Sequence, residues 1–329
     1  MRNSKLITIV IFIFLALLLI GVAISIPKSL QIKAIGIAAP YAGSAWRQDA
    51  EKLHEQLTKK NIQSKLIEMP SGINAVKPVS DPKSGIDVAQ LHSFFLSGQE
   101  STTVYSLGAT GYDPLWIFYN EKLAGNPSSL QDIVKQKVII GPKESGSYAL
   151  TKKMLALNGI NIEENSNFVS VPFDEGAERF ITGKAGVAIF GAPFYDPNIL
   201  KFFNAGFKLF EVPNAQNYKT KSDFIELTLP AGSMDINGSM PEKDTKLLAT
   251  TNVLVVKRDL RPSLQLAVLM TVEDLIKANP YKYDGMVIRF PSPMSDSSLE
   301  TSPVAKKYYA DGPPLLIKLF PALLPYWPF

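Results

Sequence analysis

The segment Gly141-Pro142-Lys143-Glu144-Ser145-Gly146-Ser147-Tyr148 is the part of this chain most suited to chemistry. It joins an apolar run, Lys137–Ile140, to a stretch of helical spacing, Ser147–Asn158. Glycines let a backbone approach a ligand closely. The free N–H groups of a helix start, aided by the helix dipole, attract an anion. Gly141 and Gly146 have the glycine spacing of a nucleotide P-loop, but Ser147 stands where its Lys must be, which rejects nucleotide hydrolysis. Two readings are left. Ser145, Gly146, Ser147 and Tyr148 accept a carboxylate or similar small anion, or the segment is a strand–helix turn with Ser as its cap.

Gly43-Ser44-Ala45-Trp46 repeats this strand–loop–helix position earlier in the chain. Ser44 stands as an N-cap, and Trp46 either stacks on a ligand or fills the core. Phe190-Gly191-Ala192-Pro193 ends another apolar run, at the carboxyl edge where open α/β sheets bind ligands. Gly191 is therefore a candidate contact, the alternative being a plain Gly-Pro turn. Gln90 follows Asp87-Val88-Ala89 at a similar edge, and its amide can donate and accept. A solvated loop glutamine is the other reading.

Much other chemistry is excluded. With no Cys there are no disulfides, thiolate zinc sites, Fe–S clusters or Cys nucleophile. The two histidines read as structural: His54 faces solvent in a Lys/Glu-rich helix, and His92 precedes Phe94-Phe95. No Ser/His/Asp order, catalytic carboxylate pair or metal-ligand cluster stands out. Asp235, Glu242 and Asp244 fall in a Pro/Gly-rich loop as turn residues, and Asn237-Gly238-Ser239 is a chance-level glycosylation triplet. No catalytic residue, metal or cofactor is expected, and the chain does not read as an enzyme. Lys+Arg number 34 against 30 Asp+Glu, and a net charge of +4 does not call for nucleic acid. A hydrophobic fraction of 46% is that of a folded chain.

The elements that must position these residues alternate. Strands are expected at Gln31–Ala38, Ile62–Glu68, Asp87–Ala89, Leu115–Tyr119, Lys137–Ile140, Val187–Phe190 and Thr250–Val256. Helices are expected at Ala45–Lys60, Ser129–Gln136, Ser147–Asn158, Glu175–Thr182, Pro197–Ala205 and Pro262–Lys277. This β-α-β-α order indicates parallel sheets covered by helices on both faces. The strand–helix series comes in two parts, and an apolar strand follows the Pro-rich stretch 211–244. That layout suits a chain that leaves one lobe, builds a second and returns. The boundaries expected are an anchor over 1–28, lobe 1 over 29–122, lobe 2 over 123–248, and a return to lobe 1 with an apolar tail over 249–329.

Leu6–Ile26 holds 21 residues without a charge, after a flank containing Arg2 and Lys5. As a helix it measures about 31 Å, enough for a hydrocarbon core of roughly 30 Å. The flank places the N-terminus in the cytoplasm and the body outside, in the periplasm or extracytoplasmic space, on a single-pass inner-membrane anchor. A cleaved signal peptide is the alternative, with Ala23-Ile24-Ser25 as small residues before the cut. At the other end, Leu315–Phe329 is apolar and aromatic but broken by Pro321, Pro325 and Pro328. It is too short and interrupted to span a bilayer. Either it packs on the body or it rests at a membrane interface.

The order of several segments resembles the extracytoplasmic solute-binding proteins of TRAP transporters, in the membrane-anchored form of the TAXI family. They run from Ala42-Gly43-Ser44-Ala45-Trp46 through Asp81–Ala89, Pro114–Tyr119, Gly141–Tyr148, Leu227–Gly232, Met240-Pro241 and Leu247–Asn252 to Tyr308–Pro314. The resemblance implies a type II periplasmic-binding-protein-like α/β fold, two lobes closing on a small organic anion, and delivery to a TRAP-type permease. It implies a carboxylate, 2-oxo acid or amino acid as ligand, held near Ser145, Gly146 and Ser147, with Tyr148 where a small Thr is frequent. A binding-protein-like sensor or assembly module without a transport role is the alternative function.

Overall fold

The computed structural model describes residues 34–40, 44–69, 76–96, 103–234, 240–278, 291–293, 299–320 and 323–324. The expected anchor at 6–26 lies outside them. No described helix is long and apolar enough to cross a membrane.

Ten strands among the described residues follow the order β2-β1-β3-β10-β4-β7-β5-β6, with β8 on β4 and β9 on β10. The first half of the chain supplies β1 (Ile35–Ala39), β2 (Ser64–Glu68), β3 (Val88–His92) and β4 (Val104–Tyr119). The second lobe supplies β5 (Val138–Ile140), β6 (Phe168–Ser170), β7 (Val187–Gly191) and β8 (Lys208–Leu209). Then come β9 (Ile225–Leu229) and β10 (Thr245–Lys257).

Two long strands join the lobes. Residues 104–114 of β4 pair with β10, and from Leu115 onward β4 pairs with β7. β10 also pairs with β3 in lobe 1 and, through its first residues, with β9. Pro114 sits at the changeover, where a missing N–H is tolerated because the strand is exchanging partners. The sheets are mixed, which corrects the expectation of parallel sheets. β1/β2, β1/β3, β5/β6 and β5/β7 are parallel, while β10 runs antiparallel to β3 and β4, and β4 to β7. The cause is topological: a chain that leaves on one strand and returns beside it runs the two in opposite directions.

Lobe 2 shows why its strands read as continuous apolar runs. Leu115 and Ile117 enter one core cluster, Trp116 and Phe118 the other, as expected for a period of two. Val138 and Ile140 divide from Ile139 in the same way, and Val187 and Ile189 from Ala188 and Phe190. With both faces covered, every position is apolar. Lobe 1 has its own core around Leu91, Val104, Val253 and Val255.

Helix α1 (Ala45–Lys59) follows β1, and α2 (Val76–Ser80) precedes β3. The short α3 (Glu121–Ala124) and α4 (Leu130–Val134) lead to β5. α5 (Gly146–Ala156), α6 (Phe173–Ile181) and α7 (Pro197–Asn204) clothe lobe 2. α8 (Pro262–Ala278) packs against α1, and α9 (Pro303–Asp311) against α8 and β4. α10 (Leu315–Leu319) follows. The turn that leads into β3 lies so close to β1 that Gly36 admits no side chain: a Cβ there would lie 1.8 Å from the Gly85 carbonyl oxygen.

Candidate functional site

Asp113 stands one residue before the changeover of β4, buried between the lobes' sheets. Its carboxylate is held from two elements. Trp46, the second residue of α1, donates its indole Nε1–H to Oδ2 at 3.1 Å. Asn252 in β10 donates its Nδ2–H to Oδ1 at 2.8 Å. His92, at the end of β3, is the register partner of Asn252. Its Nδ1 lies 3.8 Å from Asp113 Oδ2, and its ring sits 4.3 Å from that of Trp46, tilted by 46°.

Beside this cluster a bond crosses between the lobes. Tyr195, in the segment between β7 and α7, donates its hydroxyl to Oδ2 of Asp49 in α1 at 2.8 Å. Lys52 is within 4.0 Å of Asp49 Oδ1 and lies 5.9 Å from the centre of the Tyr195 ring. Asp196, next in sequence, caps α7 by accepting from the Asn198 N–H at 2.8 Å.

The electrostatics of this seam are those of buried acid. Burial pushes Asp113 up to about 7, against the bonds from Asn252 and Trp46, and Asp49 and Asp196 add repulsion. Burial likewise raises Asp196 to about 6 and Asp49 above its ordinary range. It raises the Tyr195 hydroxyl well above 10. His92 moves the other way: burial lowers it to about 3, so its imidazole is neutral at physiological pH. So weak a base is poorly matched to general-base work near neutrality. The described residues contain no group of three or more His, Cys, Asp or Glu placed to hold a metal.

The sequence candidates divide between this seam and lobe 2. Ser44 caps α1, accepting from the Arg47 N–H at 3.1 Å, and Trp46 belongs to the seam. Gln90 is in β3 rather than in a loop, half-buried, with Nε2 3.5 Å from the Thr110 hydroxyl. In lobe 2, Ser145 is a buried N-cap that donates to the Pro142 carbonyl and accepts from the Tyr148 N–H. Gly146 begins α5. Ser147 accepts from the Gly191 N–H at 2.8 Å, which ties the start of α5 to the carboxyl edge of β7. Ser147 and Gly191 are thus brought together, whereas Tyr148 is buried in the lobe 2 core. His54 is half-buried, with Nδ1 2.8 Å from the Ser64 hydroxyl.

Sequence reasoning missed Asp49, Asp113, Tyr195 and Asn252. Asp49 alone left a readable trace, a short acid on the helical face that also carries Trp46, Ala50 and Leu53. A separate groove of about 480 Å³ is lined by Tyr119, Glu211, Asn214, Glu226, Lys243 and Lys246 and contains none of the sequence candidates. Its lysines are matched by acids, Lys243 with Glu211 at 3.0 Å and Lys246 with Glu226 at 3.1 Å.

No family model matches this chain, and no curated protein does. Among solved structures it is similar to a protein from Bordetella bronchiseptica RB50, at 13% identity and a TM-score of 0.49 over 83% of this chain and 96% of that one. It is similar to MatC from Rhodopseudomonas palustris with bound malate, at 12% and 0.47 over 76% and 86%. The BenM effector-binding domain with its effector benzoate gives 10% and 0.46 over 77% and 96%. Likeness at this level assigns neither family nor ligand to this chain.

Proposed function

We propose that this chain is a tethered extracytoplasmic solute receptor. Its two lobes close on a small organic solute, and the closed form engages a membrane permease of the TRAP class. The single observation that carries the reading is the seam: two sheets share β4 and β10, and Tyr195 of lobe 2 reaches Asp49 of lobe 1 beside Asp113. Lobes joined by two strands can hinge about them, and bonds that form only on closure convert binding into a change of shape. The TAXI-like order of segments supports the transport partner, and the uncharged run 6–26 supports the tether and the location outside the cytoplasm.

The seam also ranks the solutes. Asp49 and Asp196 each repel the Asp113 carboxylate, while Lys52 lies beside Asp49 and Lys201 beside Asp196 at the edges of the cluster. A ligand ammonium would relieve that repulsion, while a carboxylate suits the helix start at Ser145–Ser147. An α-amino acid carries both groups; a 2-oxo acid carries one.

Titration calorimetry on the full chain in nanodiscs tests this with matched pairs, such as glutamate against 2-oxoglutarate and alanine against pyruvate. Binding of an amino acid at least tenfold tighter than its oxo partner is expected. Preference for the oxo acid would overturn the assignment of the ammonium and leave the receptor standing. No heat across a broad panel of amino acids and organic acids would overturn the receptor itself.

A further inference from the structure

The last described helix presents an apolar face to solvent. Leu315, Leu316, Leu319, Phe320 and Leu323 are between 45% and 69% exposed, while Ile317 and Leu324 are buried and fix the segment to the body. Among the described residues, the only other exposed large hydrophobics are Leu123 and Ile181. Five such side chains within nine positions are a concentrated patch, of the kind that marks an interaction surface rather than ordinary scatter.

We propose that this face docks onto the surface of a phospholipid bilayer. Three observations choose lipid as the occupant. Lys318 stands exposed within the patch, a cation for headgroup phosphates beside leucines for the acyl boundary. The sequence continues with Tyr326 and Trp327, the residue types enriched at membrane–water interfaces. The third is the uncharged run 6–26: a chain tethered by it meets a bilayer at permanently high local concentration, so a second, weak contact suffices. The proposal rests on the tether in the reading above. Docking would bias how the body is presented to a permease in the same membrane.

The absence of cysteine makes the test direct, because single nitroxide labels need no background substitutions. Full-length Leu319→Cys and Leu316→Cys are labelled and mixed with nanodiscs containing phosphatidylglycerol, with Lys135→Cys on exposed lobe 2 as control. Collision rates with oxygen and with a water-soluble nickel chelate are then read by electron paramagnetic resonance. The expected result is oxygen-rich, nickel-poor collision at 316 and 319 and nickel-rich collision at 135. Protein that co-elutes with nanodiscs but reads nickel-rich at 316 and 319 would overturn docking and leave the tether intact. Low collision with both reagents would overturn it in favour of a protein occupant, a second copy or another chain. Protein that elutes free of lipid would overturn both. Association lost in Leu316→Glu/Leu319→Glu while deletion of residues 6–26 spares it would support docking and remove the tether.

Discussion

The Tyr195 hydroxyl donates to Asp49 Oδ2 at 2.8 Å, joining residues 146 positions apart on opposite lobes. Burial holds the phenol firmly protonated, so it acts as a donor over the whole physiological range. Tyr195→Phe deletes only the hydroxyl. A net hydrogen bond contributes about 0.5–1.5 kcal/mol, and a bond to a charged partner somewhat more. The closed-to-open ratio should therefore fall about threefold to tenfold. Distances between spin labels at Glu55→Cys in α1 and Lys135→Cys beyond α4 report it. The expected variant distribution is broader and longer, and an unchanged distribution would show that the bond does not hold the lobes.

Asp113 and His92 make opposite demands on pH. For Asp113 the unfolded value is 3.8 and the folded value about 7, so between them the folded state holds the extra proton. Stability from this group is present in acid and is lost as pH rises from about 4 to 7. His92 falls from 6.5 to about 3, so over that window the unfolded state holds the proton and stability rises with pH. Each effect is of order a few kcal/mol, and in the wild type they oppose across about pH 4–6.5. Asp113→Asn should therefore show denaturation midpoints climbing more steeply from pH 4 to 6.5 than the wild type. His92→Asn should show midpoints that fall over the same range. Parallel profiles for all three proteins would refute the assignment.

Those two residues also lie where the sequence was least legible. The central strands of lobe 2, β5 and β7, could be read because sheets covered on both faces make unbroken apolar runs such as Val138–Ile140 and Val187–Phe190, whereas the short edge strands β6 and β8 carry no such run and were not expected. The first half of β4 could not be read, since Gly108, Gly111 and Pro114 look like loop punctuation. Gly108 in fact takes φ +120° against Tyr309 and Ser292, and Pro114 lies at the change of partner. The cap Ser44 was visible because capping is local, and a serine cap was one of two readings of the 141–148 turn, where the capping residue is Ser145. The seam was not visible: Asp113 meets Trp46 across 67 positions and Asn252 across 139. No local pattern encodes that meeting. For the same reason the antiparallel return of β10 was misread as one more parallel strand.

Two glycines separate steric need from composition. A Cβ at Gly36 would fall 1.8 Å from the Gly85 oxygen and 2.8 Å from Ile67 Cδ1, and the obstructing oxygen is backbone. At Gly111 a Cβ meets nothing within 4 Å. Gly36→Ala should thus separate β1 from the 85–87 turn, break the Gly36 N–H bond to Asp87 and cost about 3 kcal/mol or more. Gly111→Ala should shift stability by no more than about 0.5 kcal/mol. Chemical denaturation of the two variants in detergent checks the contrast, and equal losses would contradict it.

Ser145 and Ser147 are two residues apart but do different work, and this separates a helix cap from a ligand contact. Ser145 uses its hydroxyl twice, donating to Pro142 and accepting from Tyr148, so it has no donor left for a solute. Ser147 accepts from Gly191, and a hydroxyl in that role still carries one proton to give. Ser145→Ala should cost about 1 kcal/mol of stability through the lost cap and leave solute affinity within twofold. Ser147→Ala should cost about 1–3 kcal/mol, because it strands the Gly191 N–H. It should also weaken solute binding by about tenfold if the proposed carboxylate takes the Ser147 proton. Calorimetry on both variants, with denaturation midpoints measured alongside, gives the two readouts independently. Loss of affinity in Ser145→Ala with none in Ser147→Ala would move the anion site away from the start of α5.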